Sequence, residues 1–555
     1  MTPSLIVALL FWSMWLFAAA TLMLDTCMLD LCRSHWKPIV LILAIVALWR
    51  VPWDGIFFHG LEYEDSYIYT VAGRQMAENI QPPTGNFAPP LSLNVCAIGS
   101  IRDCDIWEPF PEHLIGYPYV IGMATHAFSY TPAIGSFVNL FASLVSALLV
   151  FLLALTITGD SLVALLAGLA FAVIPVFAVY GLETSAEPFS CCCVLLALWF
   201  FVSFWRVEAV SVASGIALWC AYTSTLLFSQ TVKREDLLLA FLLPLMIPFV
   251  RPRLRNTGRQ NYLWTWLVAG SSLLALILSW RMQLWATSQN EEELLRQFPL
   301  TPARLVHFIG SFLASFWQPR WYVGSVMAVL VGSVVAVRKR GTALIPLVLL
   351  IGFILVYATH IRGYYEMESG QVAPESALRF SMNLMGLWAI VAGLGIGWLA
   401  RWAQDSHFLR SRLRLQRYML PAVGALLLLA SGFATFYLRR DAIEDEANSR
   451  VTPAIVAAEV AAHQGPKDVY ILTMDPLVIQ MYANSAARIV DLESVDDSML
   501  DALVASDTTI IFLKLDDRFT EADLDRYGEP IRRVLAMPSE RLDGGDGFSV
   551  SLIEH

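Results

Sequence analysis

The first candidate for chemistry is a cluster of carboxylates in the polar segment that follows the apolar stretch 37–53. Three acids lie within four positions and end with Glu64 and Asp65, and Tyr67 and Tyr69 follow them closely. Adjacent acids repel one another, and partial burial raises the pKa of a carboxyl group toward a value suited to proton abstraction. The cluster therefore predicts a general base at Glu64 or Asp65. A solvated acidic loop would show the same pattern.

A second acidic pair, Glu183 and Glu187, lies at the edge of another apolar segment. The two residues are four positions apart, so they share one face of a helical turn. Charges at such an edge are energetically expensive and mark functional positions in membrane proteins. The alternative is a solvated helix end.

Four basic residues complete the set of polar groups that could take part in a reaction. They lie in loops that the topology below assigns to the exocytoplasmic side. They are Lys233, Arg234, Arg362 and Arg379. Basic residues are depleted on that side, so each needs a reason to be there. Charge-assisted hydrogen bonds to a phosphate are one reason, and snorkelling toward lipid headgroups is the other.

An aromatic, proline-rich segment at 107–118 is predicted to re-enter the membrane and to line a pocket through His113 and Tyr117. His113 is either a metal contact or a hydrogen-bonded structural residue. Cys96 and Cys104 lie in the same loop, where a disulfide is plausible if the loop is exocytoplasmic.

Composition places these groups in a membrane protein. Of 555 residues, 57% are hydrophobic and 15% are charged, more apolar surface than a water-soluble fold of this length can bury. The net charge of −10 divides unevenly, because residues 441–555 carry 23 acidic and 9 basic side chains. The sequence therefore predicts a mildly basic membrane domain, residues 1–440, and an acidic soluble domain, residues 441–555. Nothing in it suggests nucleic-acid binding.

About twelve apolar stretches are long enough to approach the ~30 Å core of a bilayer. They lie near 4–24, 37–53, 135–157, 161–180, 188–204, 209–228, 236–250, 263–283, 321–337, 342–360, 380–400 and 418–438. The first lacks a basic flank and a cleavage site, so it is expected to be a retained helix. With twelve spans, four Lys/Arg clusters, at 33–37, 251–259, 338–340 and 401–417, fall on one face, which is therefore cytoplasmic. The long loop 54–134 and the tail fall on the opposite face.

The tail changes character after Asp441. β-rich runs at 469–473, 487–490 and 508–513 alternate with helical patterns at 453–462 and 498–506. This alternation predicts a small α/β domain with a mostly parallel sheet. The overall fold class is thus mainly α: a polytopic membrane protein of about twelve helices with a small C-terminal exocytoplasmic α/β domain.

The order of these motifs resembles the C-type (GT-C) glycosyltransferase superfamily, in particular bacterial relatives of protein O-mannosyltransferase and of lipid A aminoarabinose transferase. Those enzymes carry an acidic pair at the start of a helix in the first exocytoplasmic loop, and residues 64–76 are similar with the acids in reversed order. Residues 111–118 resemble the family's Gly-Tyr-Pro entry into a membrane helix. Glu187-Pro188 and Arg379-Phe380 resemble two later motifs, so the resemblance spans about residues 37–440.

The resemblance implies a polyprenyl-phosphate-linked sugar donor, and an acceptor hydroxyl on a lipid, a glycan or a protein. It also implies a multi-pass protein of the bacterial inner membrane whose active site and C-terminal domain face the periplasm. Asp65 or Glu64 would take the acceptor proton in an inverting displacement, while the four cations hold the departing phosphate. Glu187 would support the base, orient the acceptor or help to hold a divalent ion, although no residue set demands a metal or another cofactor.

A polytopic transporter or lipid flippase is the main alternative. It predicts charges at the bilayer midplane and internal symmetry. No repeat stands out, and the charges cluster at one interface. A membrane scaffold without catalysis is the third hypothesis.

Overall fold

The computed structural model describes most of the apolar segments and parts of the polar ones. The described residues are 3–24, 27–50, 64–79, 114–181, 184–206, 212–250, 260–286, 302–360, 381–405, 430–433, 451–464, 469–473, 478–479, 487–492, 497–505, 509–515, 529–545 and 548–553. They group into two units. The first unit comprises Met1–Val51, Pro111–Tyr117 and Phe137–Leu438, and the second comprises Pro52–Phe110, Pro118–Ser136 and Arg439–His555.

Most of the predicted apolar stretches form helices, and further helices lie in segments that the twelve predicted spans leave as loops, at 27–34, 64–79, 116–128 and 302–315. The helices before the tail are α1 Pro3–Leu24, α2 Cys27–Ser34, α3 Trp36–Arg50, α4 Glu64–Asn79, α5 Gly116–Phe128, α6 Ile134–Thr158, α7 Ser161–Val173, α8 Pro175–Tyr180, α9 Ala186–Arg206, α10 Val212–Val232, α11 Leu237–Val250, α12 Gln260–Ala286, α13 Pro302–Ser315, α14 Pro319–Tyr322, α15 Ser325–Lys339, α16 Leu344–His360 and α17 Met385–Asp405. Helices suit these sequences because a helix satisfies its backbone hydrogen bonds internally, as lipid requires.

Five segments in the described part of the chain are long and apolar enough to cross a bilayer. They are Ile134–Thr158, Ala186–Phe204, Val212–Val232, Gly341–Ala358 and Met382–Trp402. Shorter apolar helices accompany them, including Ile6–Thr21 and Ser161–Val173. The protein is therefore a mainly helical, multi-pass membrane protein, as predicted, while the number of twelve spans stays a prediction. The last predicted span, 418–438, lies outside the described residues except for 430–433.

One predicted span, 161–180, is broken by a proline. Pro175 has no N–H to bond the carbonyl of Phe171, so α7 ends at Val173 and α8 starts at Pro175. The Arg50 guanidinium fills the gap: its Nη2 donates to the Phe171 oxygen over 3.2 Å, and its Cζ lies 4.9 Å from the centre of the Phe171 ring. A fully buried arginine thus caps the carbonyl that the proline leaves open.

Three loops that the topology assigns to the cytoplasmic face lie together in the first unit. Arg401, near the end of α17, forms an ion pair with Asp160 before α7. The Thr342 hydroxyl, just after the basic residues 338–340, donates to the Ile157 carbonyl over 3.3 Å. The ends of α6, α15 and α17 therefore meet, as expected if alternate loops lie on the same side.

The second unit contains the tail, which folds into helices α18 Thr452–Ala462, α19 Asp497–Val504 and α20 Glu529–Ala536 around a five-stranded sheet. The strands are β1 Val469–Thr473, β2 Ala487–Asp491, β3 Thr509–Leu515, β4 Ser539–Gly545 and β5 Phe548–Ile553, in the order β2-β1-β3-β5-β4. The first three pair in parallel, as predicted, and β5 and β4 extend the sheet antiparallel to them. The sequence interpretation missed these last two strands.

Helix α4, from the first long loop, belongs to the same unit as the tail. Val71 of α4 lies in one hydrophobic core with Ala454 and Ala457 of α18 and with Ile471 of β1. On another side, α4 contacts α5 closely: a Cβ added at Gly73 would overlap the Ile121 side chain and would lie 3.1 Å from the backbone nitrogen of Gly122. The helix that begins with the two candidate bases is therefore packed between α5 and the core of the tail.

Candidate functional site

A buried ion pair joins two of the residues that the sequence singled out. Glu187 lies in the first turn of α9, and Lys233 follows the last residue of α10. The Lys233 Nζ lies 2.5 Å from Glu187 Oε1, and the two side chains are 10% and 2% exposed. The ammonium also lies 5.6 Å from the centre of the Tyr357 ring in α16. Burying two charges is costly unless the pair is well hydrogen-bonded, so this pair is a candidate functional position.

A network of uncharged and acidic groups lies beside this ion pair. Ser190, one turn after Glu187, lies with its Oγ 2.9 and 2.7 Å from Oδ1 and Oδ2 of Asp236, and 2.8 Å from Oδ1 of Asn383. Nδ2 of Asn383 lies 3.0 Å from Asp236 Oδ1 and 2.7 Å from the Tyr357 hydroxyl. All four side chains are fully buried. The network joins four elements of the first unit next to the ion pair. They are α9, the turn after α10, α16 and the residues just before α17.

Asp236 is the titratable centre of this network. It ends the short 3₁₀ turn Arg234–Asp236, between α10 and α11 and outside the five candidate spans. Burial raises its pKa to about 8, against the opposing effects of hydrogen bonds from Asn383 and Ser190. A carboxyl group with that pKa holds its proton at neutral pH.

Tyr117 lies near the ion pair, at the start of α5. Its ring centre is 6.1 Å from that of Phe189 in α9, and it is fully buried. The preceding Gly116 contacts the end of α10, because a Cβ there would lie 2.5 Å from the carbonyl oxygen of Thr231. A larger residue at 116 would overlap the last turn of α10, directly before Lys233. The predicted pocket residue Tyr117 is therefore held close to the start of α9 and the end of α10.

The first-loop residues are described only in part. Helix α4 begins at Glu64 and includes Asp65, but their side chains and that of Tyr67 lie outside the described residues. Tyr69 is buried in the second unit. Arg74, on the next turn, stacks on the Tyr130 ring at 4.6 Å. The structure therefore contains the helix predicted at this position, and the assignment of the base stays a prediction.

Other predicted site residues are not placed. His113, Glu183, Arg362 and Arg379 lie outside the described residues, as do Cys96 and Cys104. Arg234 is described, half-buried in the turn between Lys233 and Asp236. Among the described residues, no three His, Cys, Asp or Glu side chains are arranged to hold a metal ion.

The sequence interpretation missed Ser190, Asp236, Tyr357 and Asn383. Asp236 and Asn383 carried a usable signal, since each is a polar residue at the start of a long apolar run. Ser190 and Tyr357 carried none, because serine and tyrosine are common within membrane helices.

Comparison with solved structures identifies the architecture. The chain is similar to the crystal structure of ArnT from Cupriavidus metallidurans bound to undecaprenyl phosphate, with a TM-score of 0.55 over 93% of this chain and 97% of that one. The apo structure of the same protein gives 0.54 over 94% and 98%. The chain has the ArnT fold. Sequence identity is 13% in both cases, so the likeness concerns the fold alone.

The fold agrees with the resemblance inferred from the motifs, because ArnT is a lipid A aminoarabinose transferase of the GT-C superfamily. The sequence matches no family model and no curated protein. The order of weak motifs along the chain was therefore sufficient to indicate the fold at an identity of 13%.

Proposed function

We propose that this protein is a membrane glycosyltransferase that transfers a sugar from a polyprenyl-phosphate donor to an acceptor hydroxyl on the exocytoplasmic face of the inner membrane. The observation that carries the proposal is the buried Glu187–Lys233 pair at one end of an ArnT-like fold. The ArnT structure binds undecaprenyl phosphate, and a lysine at the edge of a membrane helix is suited to the same anionic headgroup.

The chemistry follows from the donor. The acceptor oxygen attacks the anomeric carbon, the bond from that carbon to the phosphate oxygen breaks, and the configuration inverts. A carboxylate, Asp65 or Glu64, takes the proton of the acceptor hydroxyl. The departing polyprenyl phosphate is a weak base, so it needs positive charge more than a general acid. Lys233 supplies that charge, with Arg234, Arg362 and Arg379 as further candidates.

Glu187 holds the Lys233 ammonium in a fixed position through the 2.5 Å contact. A preorganised cation stabilises developing charge without reorganising during the reaction. The Glu187–Lys233 pair carries no net charge. Binding of the phosphate is therefore favoured by the orientation of the ammonium and its N–H donors, and not by a net positive charge.

The proposal predicts that amidation of the first-loop acids stops transfer. Asp65→Asn or Glu64→Gln should lower the transfer of radiolabelled sugar from the membrane lipid-phosphate pool by about 100- to 10,000-fold, the range that a lost general base costs. The variant with the larger loss identifies the base. Binding of undecaprenyl phosphate should persist in both variants, because the acids act on the acceptor.

The matched control is Glu62→Gln, which makes the same chemical change at the third acid of the cluster and should leave the transfer rate within a few-fold. If neither Asp65→Asn nor Glu64→Gln changes labelling, the first-loop acids are structural. A transporter or flippase would then account for the fold better than an enzyme.

A further inference from the structure

The three polar contacts among Ser190, Asp236 and Asn383 form a closed triangle, and each contact needs one hydrogen. Ser190 Oγ lies 2.7 Å from the Asp236 carboxyl and 2.8 Å from the Asn383 amide, and that amide lies 3.0 Å from Asp236. A serine hydroxyl supplies a single hydrogen, and the amide supplies hydrogens only from its nitrogen. The number of hydrogens that Ser190 and Asn383 supply can therefore be compared with the three contacts.

With the Asn383 amide as placed, its nitrogen donates to Asp236, so Ser190 must serve two acceptors with one hydrogen. With the amide turned over, the nitrogen donates to Ser190 and Ser190 donates to Asp236, but two oxygens, of Asn383 and Asp236, then face each other at 3.0 Å. The oxygen and nitrogen of an asparagine side chain can exchange places by a flip of the amide, so both orientations of Asn383 are considered. Each case lacks one hydrogen, and only a protonated Asp236 supplies it.

We infer that Asp236 is a neutral, hydrogen-donating carboxylic acid in the working protein, and that its neutrality keeps the Lys233 site able to bind an anionic phosphate. The inference deepens the proposed function and rests on it. Asp236 is a positioning residue: its backbone N–H donates to the Lys233 carbonyl over 3.2 Å, and its side chain contacts Ser190 of α9 and Asn383 before α17. Asn383 in turn contacts Tyr357 of α16.

Charge around Asp236 explains why its protonation state matters. Among the described residues, the ionisable side chains around Asp236 include Lys233 and Glu235 of its own turn, Glu187, Cys191 and Cys193 of α9, and Tyr357 of α16. An ionised Asp236 would add a second buried negative charge beside a single buried ammonium. This charge would oppose the binding of a phosphate, because a buried site screens charge poorly.

The pKa of Asp236 is raised to about 8 by burial, so the group is neutral at pH 7 and loses its proton as the pH rises through 8. Binding of the donor phosphate should therefore weaken across that range. The phosphate of the lipid titrates as well, but it does so identically in every variant.

The test measures binding of undecaprenyl phosphate to the purified full-length protein in detergent at pH 7 and pH 9. Wild type should bind about tenfold more weakly at pH 9, and Asp236→Asn should show no such loss while matching wild type at pH 7. Asparagine reproduces the neutral acid, with one donor toward Ser190 and one acceptor toward Asn383, but it cannot ionise. Asp30→Asn is the matched control: it makes the same chemical change at an exposed aspartate of α2 and should retain the wild-type pH dependence.

Three outcomes overturn the inference. Equal pH dependence in wild type and Asp236→Asn would mean that ionisation of Asp236 is not what weakens binding. Weakened binding at pH 7 in Asp236→Asn, or failure of that variant to fold, would mean that the site requires an ionised aspartate. Folded wild type that binds no undecaprenyl phosphate at either pH instead overturns the proposed function itself.

Discussion

Replacing Lys233 by methionine should lower sugar transfer by about 100- to 1,000-fold, the loss that follows when one preorganised group is removed from a developing oxyanion. Methionine keeps the length and apolar stem of the side chain but removes the ammonium. The substitution also leaves Glu187, which is 2% exposed, without the cation bonded to it. Breaking a buried pair in this way costs about 3–5 kcal/mol of stability. The variant is therefore expected to be both less stable and inactive.

The double variant Lys233→Met with Glu187→Gln separates these two effects. With both charges removed, most of the stability should return, since a neutral pair carries no buried charge. Activity and undecaprenyl phosphate binding should stay lost, because the ammonium is still absent. Thermal unfolding in detergent measures the first effect, and transfer from the lipid pool measures the second. Lys339→Met, at an exposed lysine at the end of α15, is the control and should change neither. Recovery of activity in the double variant would show that Lys233 has a structural role only.

The sequence located this ion pair because charge is rare in apolar surroundings. Glu187 and Lys233 each lie at the edge of a hydrophobic segment, and such positions are conspicuous. That the two bond each other could not be read from the pattern, since they are 46 residues apart. Pairing at that distance depends on how α9 and α10 pack, and helix packing leaves only a weak trace in a single sequence.

The buried network around Asp236 was still harder to predict from the sequence than the ion pair. Asn383 lies 193 residues from Ser190 and 147 from Asp236, so no local period relates them. The segment 232–236 drew attention for its lysine and arginine, while the fully buried member is its aspartate. Which polar residue of such a segment is buried depends on tertiary structure, so the sequence alone could not single out Asp236.

The tail shows why some elements were predicted and others were not. Strands β1 and β3 are apolar runs buried in the sheet, so their composition identified them. Strand β4 reads Ser-Glu-Arg-Leu-Asp-Gly-Gly and lies exposed at the sheet edge, where no apolar alternation is required. Its strand conformation comes from pairing with β5, which is tertiary information. The break at Pro175, by contrast, was visible in the sequence and was overlooked because the flanking residues are uniformly apolar.

Replacing Gly73 by leucine should reduce sugar transfer at least 100-fold without touching any polar group. Helix α4 approaches α5 so closely at this glycine that a Cβ would overlap the Ile121 side chain and crowd the backbone of Gly122. A backbone cannot yield as a flexible side chain does, so α4 must shift or rotate. The proposed function places its base at the start of α4, and a displacement of about 1 Å at a reacting group costs on the order of 100-fold.

The matched control is Gly270→Leu in α12, where an added Cβ meets no atom within 4 Å. It makes the same change in helix propensity and should leave transfer unaltered.

A second comparison uses the core that α4 shares with the tail. Val71→Ala should loosen α4 and lower transfer, whereas Leu500→Ala, in the core that includes Tyr470 and Phe512, should lower stability with a smaller effect on transfer. Undecaprenyl phosphate binding should survive in Gly73→Leu, Val71→Ala and Leu500→Ala, because Lys233 belongs to the other unit, and in Gly270→Leu, because an added Cβ there meets no neighbouring atom. If Gly73→Leu retains full transfer, the position of α4 is irrelevant to the reaction, and the base must be sought elsewhere in the chain.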